Sequence, residues 1–260
     1  MRLDPVGARA RLDHYHARFG EVPGWLSDMS AALLHGFLLW QEWNGHIRGD
    51  LMEVGVAEGR SAHLLGLALR ERERLLLNDV SASVAEVASR IGPAAVPLLD
   101  WSAQLGPDRV PDRSVRFLHV DGDHGRQAQH VDLALADRVV AEGGMVVLDD
   151  FLAPQFIGLT LGAVEWMATH PGRLQIVLAG FNKAYLCRPH MASIYLRFVV
   201  EELPDFLRAM GQPDFTLWHM AHPSDSSAIG ITSRQFDRDV VTLDTDTRVP
   251  EAERRSVLSL

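Results

Sequence analysis

Four aspartates follow two apolar runs near the middle of the chain. The runs read VRFLHVD and GMVVLDD, and one amphipathic stretch, QAQHVDLALADRVVA, separates them. A buried strand, a crossover helix and a second parallel strand bring the carboxyl ends of both strands to one edge of a sheet. We therefore expect four carboxylates to converge at that edge, namely those of Asp121, Asp123, Asp149 and Asp150.

Clustered carboxylates need a cation, a proton or wide separation. Two of them about 4 Å apart repel by roughly 4 kcal/mol at an effective dielectric near 20. Ligand sets made only of oxygen favour magnesium, calcium or manganese over zinc. A divalent ion held at this edge would orient a substrate hydroxyl and lower its pKa. His124 follows in the loop after the first strand, and an imidazole with a pKa of about 6.5 suits a general base.

A glycine turn lies at the end of an earlier apolar run, in the segment EVGVAEGRS. Gly55 and Gly59 let the backbone approach a ligand closely, and the helix that follows begins with free N–H donors. The spacing is not the G-x-G-x-x-G fingerprint, which disfavours a nicotinamide or flavin enzyme. Asp79 ends the next run, LLLND, where an acid in nucleotide-binding folds binds the ribose hydroxyls. The third run ends in DWS, where Asp100 and Ser102 offer a polar and aromatic corner for adenine.

The surrounding pattern predicts an α/β fold. From Gly49 onward, short β-rich runs alternate with helical ones, which indicates a parallel sheet with helices on both faces. The link Phe181-Asn182-Lys183 is too short for a crossover, so the last two runs must form an antiparallel hairpin. We therefore predict a Rossmann-like, seven-stranded and mostly parallel sheet with an antiparallel last strand.

Three regions are predicted along the chain. Residues 1–48 form an N-terminal helical cap, whose second helix starts at Ser27 or Asp28. Residues 49–189 form the Rossmann-like domain that carries the candidate site, and residues 190–260 form a helical or irregular extension. The tryptophans of the cap suit the floor of an acceptor pocket or the core, and its apolar helices suit a homo-oligomer interface.

The amino-acid composition limits the kinds of molecule that the protein is expected to bind. Acidic residues exceed basic ones by nine, with no block of lysine and arginine, so nucleic acid and membrane surfaces are not expected. A small-molecule partner is expected instead. Cys187 is the only cysteine, which fits a reducing cytoplasm. The longest apolar stretch is far shorter than the roughly 20 residues of a membrane helix.

Taken together, EVGVAEGRS, LLLND, VDGDH, GGMVVLDD and the hairpin resemble class I S-adenosylmethionine-dependent methyltransferases from Leu51 to Arg188. VDGDH followed by LDD is most similar to the metal-dependent O-methyltransferases that act on sugars of natural products. The resemblance implies that S-adenosyl-L-methionine is the cofactor and that three sets of residues bind it. They are Glu53, Gly55, Gly59 and Ser61 at the methionine end, Asp79 at the ribose, and Asp100 with Ser102 at adenine.

The resemblance also implies a magnesium or manganese ion on Asp121, Asp149 and Asp150, with His124 as the base. Asp123 is the alternative base, because some members of the family are thought to use an acid there. The predicted function is a magnesium-dependent O-methyltransferase acting on a hydroxyl of a sugar or polyketide-like acceptor. Two alternatives stay open: a nucleotide-sugar glycosyltransferase whose D-x-D motif binds the metal, and a non-catalytic S-adenosylmethionine-binding protein.

Overall fold

One mixed sheet organises the protein. The computed structural model describes residues 4–219 and 228–234. Within them the sheet has nine strands in the order β3-β2-β1-β4-β5-β7-β6-β9-β8. The strands are β1 Asp50–Val54, β2 Leu75–Asp79, β3 Ala95–Leu99, β4 Val115–Val120, β5 Val140–Asp149, β6 Gln175–Gly180, β7 Lys183–Cys187, β8 Phe215–His219 and β9 Ile229–Ser233.

Eight α-helices accompany the strands in the described part of the chain. They are α1 Pro5–Phe19, α2 Asp28–Trp43, α3 Arg60–Gly66, α4 Ser83–Ile91, α5 Arg126–Val139, α6 Ile157–Thr169, α7 Pro189–Glu201 and α8 Leu203–Ala209. Strands β1 to β5 pair with one another in parallel, whereas β7 is antiparallel to both β5 and β6. No helix among these is long and apolar enough to cross a membrane.

Both faces of the sheet are covered because its central strands are apolar on both sides. In β4, Phe117 belongs to one buried cluster, which includes residues of α1 to α4, α7 and α8. Its neighbour Leu118 points the other way and belongs to a second cluster with α5 and α6. This two-sided burial leaves the carboxyl ends of the strands as the place where polar side chains reach solvent.

The second N-terminal helix is part of the core. Ser27 caps α2, because its hydroxyl accepts a hydrogen bond from the N–H of Ser30 at 3.1 Å. Thirteen of the sixteen residues of α2 are buried, and Trp40 packs against Tyr195 and Phe198. The apolar residues of α2 are therefore covered within the chain and need no partner chain to shield them. An oligomer formed through the N-terminal helices stays a prediction.

The fold class is confirmed, including the reversed hairpin around Phe181 and Asn182. The strand count was wrong, since the described chain has nine strands rather than seven. The additional strands, β8 and β9, lie in the segment predicted to be a helical or irregular extension, and β9 pairs with β6. Residues 220–227 and 235–260 of that segment lie outside the described residues.

Candidate functional site

A cavity of about 1130 Å³ opens at the carboxyl ends of the parallel strands. The loops after β1, β2, β3, β4 and β5 line it, together with α5 and the segment before α2. This volume slightly exceeds the range of about 300–1,000 Å³ that is usual for small-molecule sites. The cavity has space for a nucleoside cofactor and part of a second ligand.

The glycine turn after β1 forms one wall. Gly55 has φ +80°, and a Cβ at this position would lie 1.8 Å from the carbonyl oxygen of Asp121. No other residue type fits, because the loops after β1 and β4 touch here. Asp79 holds the same turn, since its Oδ2 accepts hydrogen bonds from the N–H groups of Val56 at 2.7 Å and Ala57 at 2.9 Å. Both Gly55 and Asp79 line the cavity, and their binding of a cofactor stays a prediction.

The predicted adenine corner also lines the cavity. Asp100 and Ser102 follow β3, and Trp101 between them is 61% exposed. The amide of the buried Asn78 fixes this corner by donating to the carbonyl oxygen of Asp100 at 2.8 Å. The N–H of Asp100 donates to the carbonyl oxygen of Asp79 at 3.1 Å, so the ribose acid and the corner are adjacent.

Three predicted cofactor residues lie behind the cavity wall. Glu53 is fully buried, and its Oε1 lies 2.8 Å from Nδ1 of His119 on the neighbouring strand. Burial raises the pKa of Glu53, and the hydroxyl of Ser61 contacts the same carboxylate. Gly59 packs on α4, where a Cβ would lie 2.4 Å from Cγ1 of Val87. None of Glu53, Gly59 and Ser61 lines the cavity, and their role in binding a cofactor stays a prediction.

An acidic rim forms another part of the cavity lining. One potential ligand atom from each of Asp121, His124 and Asp150 lies within 4.8 Å of the others. Nε2 of His124 is 3.0 Å from Oδ2 of Asp150 and 3.8 Å from Oδ1 of Asp121. The imidazole stacks on Phe156 with a centroid distance of 4.0 Å. The carboxylates of Asp121 and Asp150 raise the pKa of His124.

Asp149 has a different environment. Its Oδ2 contacts the ammonium of Lys183, the only lysine of the chain, and Lys183 is 2% exposed. Nε2 of His119 lies 3.3 Å from the same oxygen. Although burial opposes it, the charges of His119 and Lys183 hold the pKa of Asp149 well below its usual value. Burial lowers the pKa of His119, but Asp149 and Glu53 outweigh it and raise that pKa to about 9.

The rim therefore brings together two of the three predicted metal ligands. Asp121 and Asp150 converge with His124, and two carboxylates with one imidazole suit a divalent cation. Asp149 lines the cavity but is not in this group, and its place in the metal set stays a prediction. Asp123 also lines the cavity, where its Oδ1 accepts a hydrogen bond from the N–H of Gly125 at 2.6 Å.

Comparison with known proteins assigns residues 52–151 to a protein family. Residues 52–151 match the family model described as a methyltransferase domain. These residues are a methyltransferase domain. The match confirms the class I S-adenosylmethionine-dependent methyltransferase that the motifs predicted. Among curated protein sequences, none shows significant similarity to the chain.

Two solved structures share the fold of this methyltransferase. A protein from Corynebacterium glutamicum is 19% identical, with a TM-score of 0.51 over 70% of this chain and 89% of its own. The O-methyltransferase NovP is 17% identical, with a TM-score of 0.51 over 61% of this chain and 80% of its own. At these identities the likeness concerns the arrangement of helices and strands.

Sequence reasoning missed several groups around the methyltransferase cavity. Lys183 was noted only as part of the hairpin link, although its rarity is a usable signal in a chain with no other lysine. Asn182 donates to Oδ1 of Asp150 from the same hairpin. Asp132 lies on the buried side of α5 and lines the cavity, and the sequence reasoning did not single it out.

Trp25 has a different environment from Trp40, another tryptophan of the predicted cap. It is 95% exposed and lines the cavity, whereas Trp40 is buried in the core. Nη1 of Arg60 donates to the carbonyl oxygen of Gly24 at 2.9 Å and so ties the segment of Trp25 to the start of α3. Of these two tryptophans, therefore, only Trp25 is placed where it could form the floor of an acceptor pocket.

Proposed function

We propose that this chain transfers the methyl group of S-adenosylmethionine to a hydroxyl of a small ring-shaped acceptor. The observation that carries the proposal is one cavity with Asp79 on its cofactor wall and the convergent Asp121, His124 and Asp150 at its rim. The fold is shared with NovP, an O-methyltransferase. That likeness is consistent with oxygen as the methylated atom. The proposal itself rests on the convergence of Asp121, His124 and Asp150 at the rim.

At the cofactor end, Asp79 binds the ribose hydroxyls and the glycine turn admits the methionine portion. Asp79 already accepts two backbone hydrogen bonds through Oδ2, so its carboxylate is fixed before the ligand arrives. The exposed face of Trp101 offers an apolar surface for adenine. A fixed acceptor and a preformed apolar surface lower the ordering cost of binding.

At the reacting end, Nε2 of His124 accepts the proton of the acceptor hydroxyl. The acceptor oxygen forms a bond with the methyl carbon, the carbon–sulfur bond breaks, and its electron pair stays on sulfur to give S-adenosylhomocysteine. Stacking on Phe156 restricts the imidazole, which favours His124 over Asp123 as the base. Asp123 is engaged by the N–H of Gly125 instead.

A magnesium or manganese ion is part of the proposal. Asp121 and Asp150 would hold it beside His124, and the bound ion would supply a Lewis acid that lowers the pKa of the acceptor hydroxyl. The fit rests on hard oxygen donors on two adjacent strand ends and on the raised pKa of Asp150, which burial and the nearby charge of Asp149 cause. A cation at this position would relieve that repulsion.

The acceptor class follows from the apolar surfaces near the rim. Trp25 and Phe156 line the cavity, and ring faces of sugars, phenols or polyketides stack on such side chains. A natural-product sugar or polyketide-like hydroxyl is therefore the acceptor that we propose. The glycosyltransferase alternative is not retained, because the D-x-D motif lies inside the methyltransferase domain. The non-catalytic alternative is disfavoured by the convergence of Asp121, His124 and Asp150.

The test uses the full chain, methyl-labelled S-adenosylmethionine and a panel of hydroxylated sugars, nucleotide sugars and phenols. We expect label in at least one acceptor, with the product identified by mass spectrometry as an O-methyl ether. Calorimetry with S-adenosylhomocysteine tests the cofactor site separately, and titration with Mn²⁺ tests the rim. Absence of S-adenosylhomocysteine binding would refute the proposed function, and full activity of His124→Ala would refute the assigned base.

A further inference from the structure

Helix α6 carries a row of exposed apolar side chains. Ile157, Leu161 and Val164 follow one another at spacings of four and three residues, so they lie on one face of the helix. Leu152 lies beside this helix, because its N–H donates to Oγ1 of Thr160 at 2.8 Å. Together these four aliphatic residues form the α6 stripe, and each of them is between 48% and 59% exposed.

The opposite face of α6 is fixed in the core. Ala163 and Trp166 belong to the buried cluster that also contains residues of β4, β5 and α5. Gly162 lies so close to α5 that a Cβ would be 2.5 Å from the carbonyl oxygen of Arg126. A rotation of α6 that hid the stripe would withdraw these residues from the core. The exposure of the stripe is therefore a consequence of how α6 packs.

The second N-terminal helix, α2, provides a comparison for α6. Both helices are mostly apolar, and Glu165 is the only charged residue of α6. A helix that is apolar on all sides is normally buried. Thirteen of the sixteen residues of α2 are buried, but only five of the thirteen residues of α6 are. Within the part of the chain that the structure describes, α6 thus lacks the cover that α2 receives.

The charge near the stripe favours a second copy of the chain as the partner. The chain has a net charge of −9, so two copies repel each other unless they meet at a face without net charge. Nε of Arg126 donates to Oε2 of Glu165 at 2.6 Å, which neutralises the one charged side chain of α6. An anionic lipid surface is disfavoured by the same net charge.

The area of the stripe suits a small dimer. Covering four half-exposed aliphatic side chains removes on the order of 400 Å² of apolar surface per copy, a patch size that often marks an interaction site. Because homodimer interfaces are about 65% apolar, this corresponds to roughly 600 Å² of interface per copy. Two such faces bury about 1,200 Å², the lower limit for a stable and specific interface.

We propose that the chain forms a symmetric homodimer in which the α6 stripe of one protomer packs against the α6 stripe of its partner. A two-fold axis pairs the same surface of both copies, so a stripe that covers itself has its middle near the axis. Leu161 is the middle residue of the helical row. The interface begins beside the rim of the cavity, since Phe156 of the cavity lining directly precedes Ile157.

The experiment is sedimentation velocity on the full chain from about 1 to 100 μM, where a small interface should give a micromolar dissociation constant. Leu161→Glu should raise that constant at least about 100-fold, because the axis brings two carboxylates together in an apolar contact. The matched control is Ile194→Glu on α7, which adds the same charge at a position that is 43% exposed. It should leave the constant within about twofold.

Cross-linking tests the axis without relying on the glutamate variant. Cys187 is the only cysteine of the chain and is buried, so Leu161→Cys supplies a single exposed thiol. A short bismaleimide should convert Leu161→Cys into a covalent dimer. The same reagent should leave Ile194→Cys monomeric.

The outcomes decide both the dimer and its surface. A wild-type chain that stays monomeric up to about 100 μM would overturn the proposal. Binding of that monomer to phosphatidylcholine vesicles would then assign the stripe to a lipid surface instead. An unchanged dimer in Leu161→Glu would overturn the choice of α6, and so would cross-linking of Ile194→Cys in preference to Leu161→Cys.

Discussion

Replacing Lys183 by methionine should destabilise the protein strongly. The side chains are similar in length, but the change removes the ammonium that contacts Asp149. Lys183 is 2% exposed and Asp149 is 7% exposed, so water cannot replace the lost partner. Removing one member of a buried ion pair costs about 3–5 kcal/mol. His119 lies 3.3 Å from the same carboxylate, so we expect a value near the lower limit, about 3 kcal/mol.

Urea unfolding followed by tryptophan fluorescence measures this free energy, and a thermal scan should show a fall of roughly 6–12 °C for a chain of this size. The matched control is Arg72→Met, which removes an exposed cation and should change the free energy of unfolding by less than about 0.5 kcal/mol. Adding Asp149→Asn to Lys183→Met should restore at least half of the loss, since no unpaired charge is left. A single-variant loss below about 1 kcal/mol, or no recovery in the double variant, would refute the reasoning.

Three further predictions concern the rim and the core. Asp150→Ala should abolish methyl transfer while leaving the calorimetric affinity for S-adenosylhomocysteine within about twofold, because the rim serves the acceptor; a matching loss of cofactor affinity would contradict this. His124→Ala should lower kcat at pH 7 by about 10² to 10⁴, and Asp123→Ala by much less; the reverse order would transfer the role of base to Asp123. Burial lowers the pKa of His35 to about 4, so the unfolded chain binds the extra proton as the pH falls from about 6.5 to 4. Stability should therefore decrease over that interval by at most about 3 kcal/mol, and urea midpoints of the wild type and His35→Gln should converge at the lower pH.

The convergence of the rim was predictable from the sequence. Two uninterrupted apolar runs joined by one helix permit only adjacent parallel strands, and the right-handed crossover places both carboxyl ends together. Asp121 and Asp150 accordingly lie close enough to hold one ion. The glycine turn and Asp79 were predictable for the same reason, because each ends a buried strand.

The partners of Glu53 and Asp149 were not predictable from local patterns. Both depend on which residue lies opposite on the neighbouring strand. Glu53 is paired in register with His119 of β4, and Asp149 is paired with Lys183 of β7. The second pair requires β7 to insert between β5 and β6, which the hairpin signal alone does not specify. The acids at the strand ends therefore looked equivalent in the sequence. In the structure, strand register places a basic side chain next to two of them, Glu53 and Asp149.

The burial of α2 limits how the protein can be shortened. The matched domain begins at residue 52, yet the helix that closes one face of its sheet ends at Trp43. Truncation before β1 would expose the side chains of Leu51, Phe117 and Met145 that now share a core with α2. A fragment cut at the family boundary should aggregate, and a minimal enzyme must keep its N-terminal helices.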